Sequence, residues 1–376
     1  MSSIDGIPGM GARVLTIMAT RSQDQELVAS VAEKKGVRSQ EAILASNTAE
    51  SVIPAFGWHP WFSYQLYDDT LESKDSTYNP NDASPETQKT GHYKAVLAPP
   101  PSEEDGFIAG LPDPKPLSAF LAQTRDYLNA YPLALIGEVG LDKAFRLPNA
   151  WSDAEHSARD DTLTPGGREG RQLSPYRVNM DHQVRILKAQ LAVAGELGRA
   201  CSVHGVQAHG VLFEALKSLW KGHEKRVVSK REQKMLAKGV NEDFSSSEGE
   251  GQSGGKKTTK TPKSRPYPPR ICLHSFSGPL QVMKQYTEDK KIPAKIFFSF
   301  SVCINFSTPS GEDKTPQVIR ECPDNRILIE SDLHTAGKSM DSMLAEMYRK
   351  VCEIKGWGLR EGIERIRKNY EEFIFG

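Results

Sequence analysis

Seven short apolar runs recur along the 376-residue chain and alternate with segments of helical periodicity. Runs of this length, bounded by glycine and polar residues, are typical of buried strands. Strands that alternate with helices form a parallel sheet with right-handed crossovers, so the sequence predicts one α/β domain over residues 1–376. The runs lie within residues 13–19, 52–57, 134–142, 199–203, 270–278, 295–300 and 326–332.

Four of these runs end in a residue that can bind a cation: Glu138, His204, His274 and Asp332. Two glycines bracket Glu138, so we expect the strand to end and the chain to turn there. In a (β/α) barrel the carboxyl ends of the strands meet at one mouth, where catalytic residues lie. Two histidines and two carboxylates suit a divalent ion such as zinc, manganese or magnesium. The sequence therefore predicts a metal site at the barrel mouth.

Composition and charge narrow the class of protein. Lysine plus arginine and aspartate plus glutamate both number 48, so any attraction to nucleic acid must come from a local patch. Five scattered cysteines without a Cys-x-x-Cys pair favour reduced thiols over disulfides or a zinc ribbon. No apolar run approaches the roughly 18 residues of a membrane span, and the N-terminus has no secretion signal. We therefore expect a cytoplasmic or nuclear protein without a membrane partner.

Three polar stretches interrupt the alternation of strands and helices, at about residues 66–115, 143–177 and 221–268. The first is rich in proline and is interpreted as a surface insertion able to frame a cleft. The second is too long for a simple barrel connection, and both a lid over the strand ends and plain disorder stay open. The third is predicted to be disordered. Its basic residues suit phosphate contact or nuclear import, and a solvated linker is the simpler interpretation.

Several motifs, in this order, resemble the TatD-related metal-dependent hydrolases. They include a Gly-x-His-Pro loop at 57–60, a Gly-Glu-x-Gly-Leu-Asp block at 137–142 and a His-x-Phe-Ser-Gly block at 274–278. The match extends from about Arg13 to the C-terminus, apart from the insertions. The resemblance implies a TIM-type barrel with a one- or two-metal centre that cleaves phosphodiesters, often those of DNA.

The same resemblance implies roles for individual residues. Glu138 would bridge the metal ions, while His204 and His274 would hold one of them. Asp332 would bind the other ion or handle the proton of the attacking water. His59, in an aromatic loop after the second strand, would donate to the scissile phosphate or would be a structural histidine buried among the aromatic rings. The predicted metal ligands are thus Glu138, His204, His274 and Asp332, and the predicted catalytic residues are Asp332 and His59.

The sequence also departs from this family. Family members begin with a strand that ends in His-x-His and supplies two metal ligands, and no His-x-His occurs here. We therefore expect a barrel without its first strand, with a gap in its wall and half of one metal site removed. The segment after His204 lacks the arginine that many members carry two residues later, and Asp332-Leu-His334 replaces Asp-x-Pro. His334 is a candidate substitute ligand.

Three functions are compatible with these residues. The first is hydrolysis of DNA or another phosphodiester by a metal-activated water, with activity impaired by the absent ligands. The second is a weak or inactive barrel that serves as an interaction module for a protein partner, which the absent His-x-His and the long polar insertions favour. The third is a hydrolase that acts on carbon–nitrogen bonds, which no motif separates from the nuclease.

Overall fold

A seven-stranded parallel sheet forms the centre of the computed structural model, which describes residues 3–44, 50–71, 76–78, 84–102, 106–150, 157, 171–227 and 265–376. The strands follow one another in chain order, and each pairs in parallel with the next. The predicted parallel α/β domain is therefore confirmed. The strands are β1 (Leu15–Met18), β2 (Val52–Phe56), β3 (Leu135–Asp142), β4 (Cys201–Val206), β5 (Arg270–Leu273), β6 (Lys295–Phe300) and β7 (Ile327–Ile329).

Helices link the strands and pack apolar faces against them. The helix between β3 and β4 shows the pattern. Its residues Leu187, Leu191 and Ala194, spaced by three or four positions, are all buried. The described helices are α1 (Ser22–Lys35), α2 (Gln40–Leu44), α3 (Pro85–Val96), α4 (Leu117–Ala130), α5 (Met180–Glu196), α6 (His209–Trp220), α7 (Leu280–Glu288), α8 (Val302–Asn305), α9 (Pro309–Glu321), α10 (Lys338–Lys355) and α11 (Leu359–Phe375).

The sheet is curled, as shown by its two edge strands, which border the same cavity. Leu15 on β1 and Ile329 on β7 both line this space, which measures about 1540 Å³. β1 and β7 do not pair with each other within the described ranges. A hydrogen bond of 2.8 Å joins the hydroxyls of Thr16 on β1 and Tyr370 on α11, the helix that packs against β7. The sheet is thus the predicted TIM-type (β/α) barrel with a gap in its wall.

The first predicted insertion, at about residues 66–115, contributes to a second hydrophobic cluster beside the sheet. Tyr93 and Leu97 are buried in this cluster together with Trp58, whose ring packs edge-on against Phe120 at 5.1 Å. Because Trp58 precedes His59 in the chain, the insertion supports the loop that follows β2.

The other two predicted insertions, at about 143–177 and 221–268, are described only near their ends. In the first, the backbone N–H of Leu147 donates to Tyr176 at 2.9 Å, so the two ends of the stretch lie side by side. Residues 151–156, 158–170 and 228–264 lie outside the described residues, and so do the predictions of a lid and of disorder.

The cysteines and the hydropathy of the helices are two further features that the structure describes. All five cysteines are free, and four of them are buried. Burial raises the pKa of the Cys272 and Cys322 thiols to about 12, which keeps both protonated. Among the helices of the described residues, none is long and apolar enough to cross a membrane.

Two buried histidines make the stability of the fold depend on pH. The Nε2–H group of His92 donates to the Tyr64 carbonyl at 2.7 Å, and its Nδ1 accepts the Thr77 hydroxyl at 2.8 Å. His182 donates to the Ser63 carbonyl at 2.9 Å. Burial lowers the pKa of each imidazole to about 4. Both are therefore neutral in the folded protein at pH 6, where the unfolded chain binds protons.

We expect the free energy of unfolding to fall as the pH drops from about 6.5 to about 4, because only the unfolded state takes up these protons. The loss is about 2–3 kcal/mol per histidine, and these groups contribute none above about pH 7. Urea titrations at pH 7, 6, 5 and 4.5 measure it. The double variant His92→Gln, His182→Gln should show a flatter pH dependence. An equal slope in both proteins would contradict the assignment.

Candidate metal centre

Glu138 lies inside β3 and not at its end. The strand runs without a break through Leu135–Asp142, so the predicted turn at the flanking glycines is wrong. The register between β3 and β4 shifts between Ile136 and Val139 instead. Such an irregularity redirects the side chains next to it. The Glu138 side chain consequently lines the central cavity, with 14% of its surface exposed.

Gly140 allows β3 and β4 to approach closely. It pairs with His204 in the strand register and has a φ of +155°. A Cβ atom at this position would overlap the carbonyl oxygen of His204, so only glycine fits. This close pairing puts the side chains of Glu138 and His204 next to each other.

His204 lies between two carboxylates. Its Nδ1 is 3.0 Å from Oε1 of Glu138, and its Nε2 is 3.2 Å from Oδ2 of Asp142. Asp142 is itself held in place: its Oδ2 accepts the indole N–H of Trp61 at 2.6 Å, and its Oδ1 accepts two backbone N–H groups. The imidazole orientation is therefore fixed by a carboxylate that cannot turn away.

His274 also lies among carboxylates, on the other side of the site. Its Nδ1 is 2.7 Å from Oε2 of Glu330, and its Nε2 is 3.1 Å from Oδ1 of Asp332 and 3.8 Å from Oε1 of Glu138. Glu330 accepts from the backbone and hydroxyl of Ser275 and from the Ser299 hydroxyl. Glu138 thus stands between His204 and His274, each with an anchored carboxylate behind it.

His59 completes the cluster from the loop after β2. Its Nε2 is 3.4 Å from Oε1 of Glu138, and its ring packs edge-on against His204 at 4.5 Å. The other nitrogen, Nδ1, accepts the backbone N–H of Trp61 at 3.2 Å. Because Nδ1 is an acceptor, the proton of the neutral ring is on Nε2 and points toward Glu138.

Two amide side chains of α5 position the loops around these residues. Gln190 exchanges hydrogen bonds with the backbone N–H and C=O of Trp58, at 2.7 and 3.1 Å. Gln183 does the same for the backbone of Asp142, at 2.8 and 3.0 Å. The helix therefore fixes both His59 and the carboxylate behind His204.

The carboxylates and imidazoles of the site shift one another's pKa values. Burial raises the pKa of Glu138, but His274 and His59 outweigh burial and hold that pKa well below its usual range. Burial lowers the pKa of His204, yet Asp142 and Glu138 raise it to about 9. Burial also lowers the pKa of His274, but Glu330, Glu138 and Asp332 raise it well above its usual value. Both imidazoles are therefore protonated between ionised carboxylates.

The donor set fits a divalent cation. Ligand atoms of His59, Glu138 and His204 all lie within 4.8 Å of one another, and His274 reaches the same Glu138 oxygen. A carboxylate behind a ligating imidazole is the usual means by which proteins orient such a ligand. His204 and His274 would each offer the cation one ring nitrogen in place of a proton and would keep the other N–H on its carboxylate. Nitrogen and oxygen donors of this kind suit zinc, manganese or magnesium.

The structure brings together all the site residues that the sequence singled out: Glu138, His204, His274, Asp332 and His59. His334 lines the same cavity. The sequence did not point to two further carboxylates of the site, Asp142 and Glu330. Both stand inside motifs quoted for the resemblance, but their roles depend on which histidine each one faces, which only the fold determines.

The sequence matches one protein family over nearly its whole length. A family model described as TatD related DNase covers residues 13–375. The chain belongs to the TatD related DNase family. TatD proteins are metal-dependent hydrolases, so the donors around Glu138 form the candidate metal centre of such a hydrolase.

Two yeast proteins are relatives of this TatD-family chain. It is 36% identical over 360 residues to the Cut9-interacting protein scn1 of Schizosaccharomyces pombe, which covers 96% of this chain and 91% of the relative. It is 24% identical over 339 residues to the uncharacterized deoxyribonuclease YMR262W of Saccharomyces cerevisiae, covering 88% and 84%. The crystal structure of YjjV, a TatD homolog from Escherichia coli, aligns with a TM-score of 0.49 and 15% identity over 99% of this chain and 90% of that one.

Proposed function

We propose that the chain hydrolyses phosphodiester bonds of DNA with the help of a divalent cation held by Glu138, His204 and His274. The observation that carries this proposal is the convergence of two imidazoles on one Glu138 oxygen, at 3.0 Å for His204 and 3.8 Å for His274. The TatD family and the deoxyribonuclease in the name of the Saccharomyces relative support DNA as the substrate. About one cation per chain is expected from this donor set.

Each residue of the cluster has a distinct task in this reaction. A bound divalent ion would acidify a water molecule and polarise the phosphoryl group. Asp142 and Glu330 keep the imidazoles of His204 and His274 turned toward Glu138. Asp332, whose side chain is 30% exposed, faces the cavity and accepts the proton of the attacking water. This exposure supports a role as the general base.

His59 is better suited to donate a hydrogen bond than to ligate the ion. A ligating Nε2 would require the proton on Nδ1, where the Trp61 N–H already donates. With its proton on Nε2, His59 donates toward Glu138 in the free protein, and toward a phosphoryl oxygen when substrate is bound. Burial lowers the pKa of His59, which keeps the ring neutral and this arrangement intact.

The test is a nuclease assay on protein stripped with EDTA and then dialysed. Wild-type protein should cleave labelled single- and double-stranded oligonucleotides only after magnesium, manganese or zinc is restored. A Glu138→Gln preparation purified in parallel controls for contaminating nucleases. The proposal would be overturned if the protein cleaved neither DNA nor bis(p-nitrophenyl) phosphate when the metal is restored. Turnover of an amide substrate instead would support a hydrolase that acts on carbon–nitrogen bonds.

A second candidate function is that of a protein-interaction module. The name of the Schizosaccharomyces relative, Cut9-interacting protein, favours this alternative. It is also compatible with the cavity of about 1540 Å³ that opens between β1 and β7. The free cysteines agree with a location in the cytoplasm or the nucleus, which we propose for either function.

A further inference from the structure

We infer that Arg21 binds a phosphate group of the substrate at the edge of the metal centre. This inference rests on the proposed function, because it names the residue that recognises the anionic substrate of that site. Arg21 precedes α1, three residues after the end of β1, and lines the same cavity as His59, Glu138 and His204. Nothing in the sequence motifs points to it, since it lies outside every motif block.

Arg21 is fixed to the loop that carries His59. The carbonyl of Thr20, the residue before it, accepts the backbone N–H of His59 at 2.8 Å. The guanidinium lies over the ring of Phe62, 5.1 Å from its centroid, in the short helix Pro60–Gln65 that follows His59. The positions of the arginine and of the catalytic loop are therefore coupled.

The guanidinium has unused capacity to donate hydrogen bonds. Its Nε is buried and has no hydrogen-bond partner, although the side chain is only 12% exposed. The carboxylate beside it, Asp24, stands 4.0 Å from Nε and is already engaged by the backbone and hydroxyl of Thr20. A buried N–H group without a hydrogen-bond acceptor is costly, and an anionic ligand that accepts from the guanidinium offsets that cost.

The negative charge of the site explains why a positively charged side chain is needed to attract a phosphate group there. Four carboxylates surround the two imidazoles, so a phosphodiester that enters meets an acidic site. The other arginines that line the cavity include Arg367, which is engaged by Glu364 and Glu371. Arg21 has no comparable carboxylate pair. Its planar fork matches two phosphate oxygens, which a lysine could not do.

Calorimetric titration with inorganic phosphate tests the inference directly, on EDTA-stripped protein reloaded with manganese. We expect Arg21→Gln to bind phosphate about 10- to 100-fold more weakly, the usual value of a hydrogen bond to a charged group. The KM for bis(p-nitrophenyl) phosphate should rise by a similar factor, with little change in kcat. Arg125→Gln, which removes an arginine paired with Glu196 at the surface, is the matched control.

The outcomes separate this inference from the proposed function. Manganese stoichiometry and far-ultraviolet circular dichroism should be the same in Arg21→Gln and wild type, which shows that fold and metal site are intact. Equal phosphate affinity and equal KM in the two proteins would overturn the role of Arg21 and leave the hydrolase proposal standing. A wild type that hydrolyses neither DNA nor bis(p-nitrophenyl) phosphate would overturn the hydrolase. Phosphate binding weakened by Arg21→Gln would still support the anion site.

Discussion

Replacement of Glu138 by glutamine should abolish metal binding and hydrolysis together. Glu138 is the carboxylate that His59, His204 and His274 all face, at 3.4, 3.0 and 3.8 Å. Glutamine keeps the shape but loses the charge that holds a cation among three imidazoles. We expect affinity for manganese to fall more than about 100-fold, since even residues behind the ligands are worth 10- to 100-fold. The kcat should fall about 10³-fold or more. Titration calorimetry and DNA cleavage measure the two effects.

Two comparisons make the Glu138 result decisive. Glu196→Gln removes a partly exposed carboxylate paired with Arg125 and should leave both metal affinity and kcat unchanged. The double variant His204→Ala, His274→Ala removes the imidazoles on both sides of Glu138 and should also lose stoichiometric metal. Binding of one ion per chain by that double variant would show that the cation sits elsewhere and would contradict the assignment.

The sequence revealed the barrel because the apolar runs and helical spacings are local signals. Each predicted strand needs only its own run of residues, and strands in chain order follow from helices that link parallel neighbours. The prediction that the strand ends at Glu138 was wrong, because the pattern Gly-Glu-Val-Gly resembles a turn when its neighbours in the fold are unknown. Gly140 is there for a contact with His204, which is 64 residues away and invisible to local patterns.

Ligand types were visible in the sequence, whereas the residues that orient them were not. A histidine or glutamate beside a buried strand indicates a site by its chemistry alone. Glu330 and Asp142 differ, because their importance comes from the histidine that each one faces. Glu330 lies 2.7 Å from His274, which is two strands away, and Asp142 lies 3.2 Å from His204 on the neighbouring strand. Arg21 is a similar case, because only the fold places it over Phe62 and beside the loop of His59.

Asp332→Asn should lower kcat about 10² to 10⁴-fold, the usual contribution of a general base, while the bound cation is retained. Asparagine is the appropriate replacement because Asp332 has a φ of +56°, a left-handed conformation that asparagine tolerates and that would strain most other residues. Its amide oxygen can still accept from His274, which is 3.1 Å from the aspartate oxygen. What it cannot do is take up the proton of the attacking water. Steady-state kinetics with bis(p-nitrophenyl) phosphate measure the loss.

The metal content of Asp332→Asn distinguishes the two roles that the sequence left open for this residue. As a proton acceptor, Asp332 can be replaced without loss of the ion, so about one manganese per chain should remain while kcat falls. If Asp332 is instead a ligand of the ion, the variant should lose metal and activity together. Asp289→Asn serves as the control, because Asp289 is an aspartate that caps the Lys291 backbone N–H far from the cluster. Because Glu138, His204 and His274 converge without Asp332, we expect retained metal, and a kcat within about threefold of wild type would exclude the general-base role.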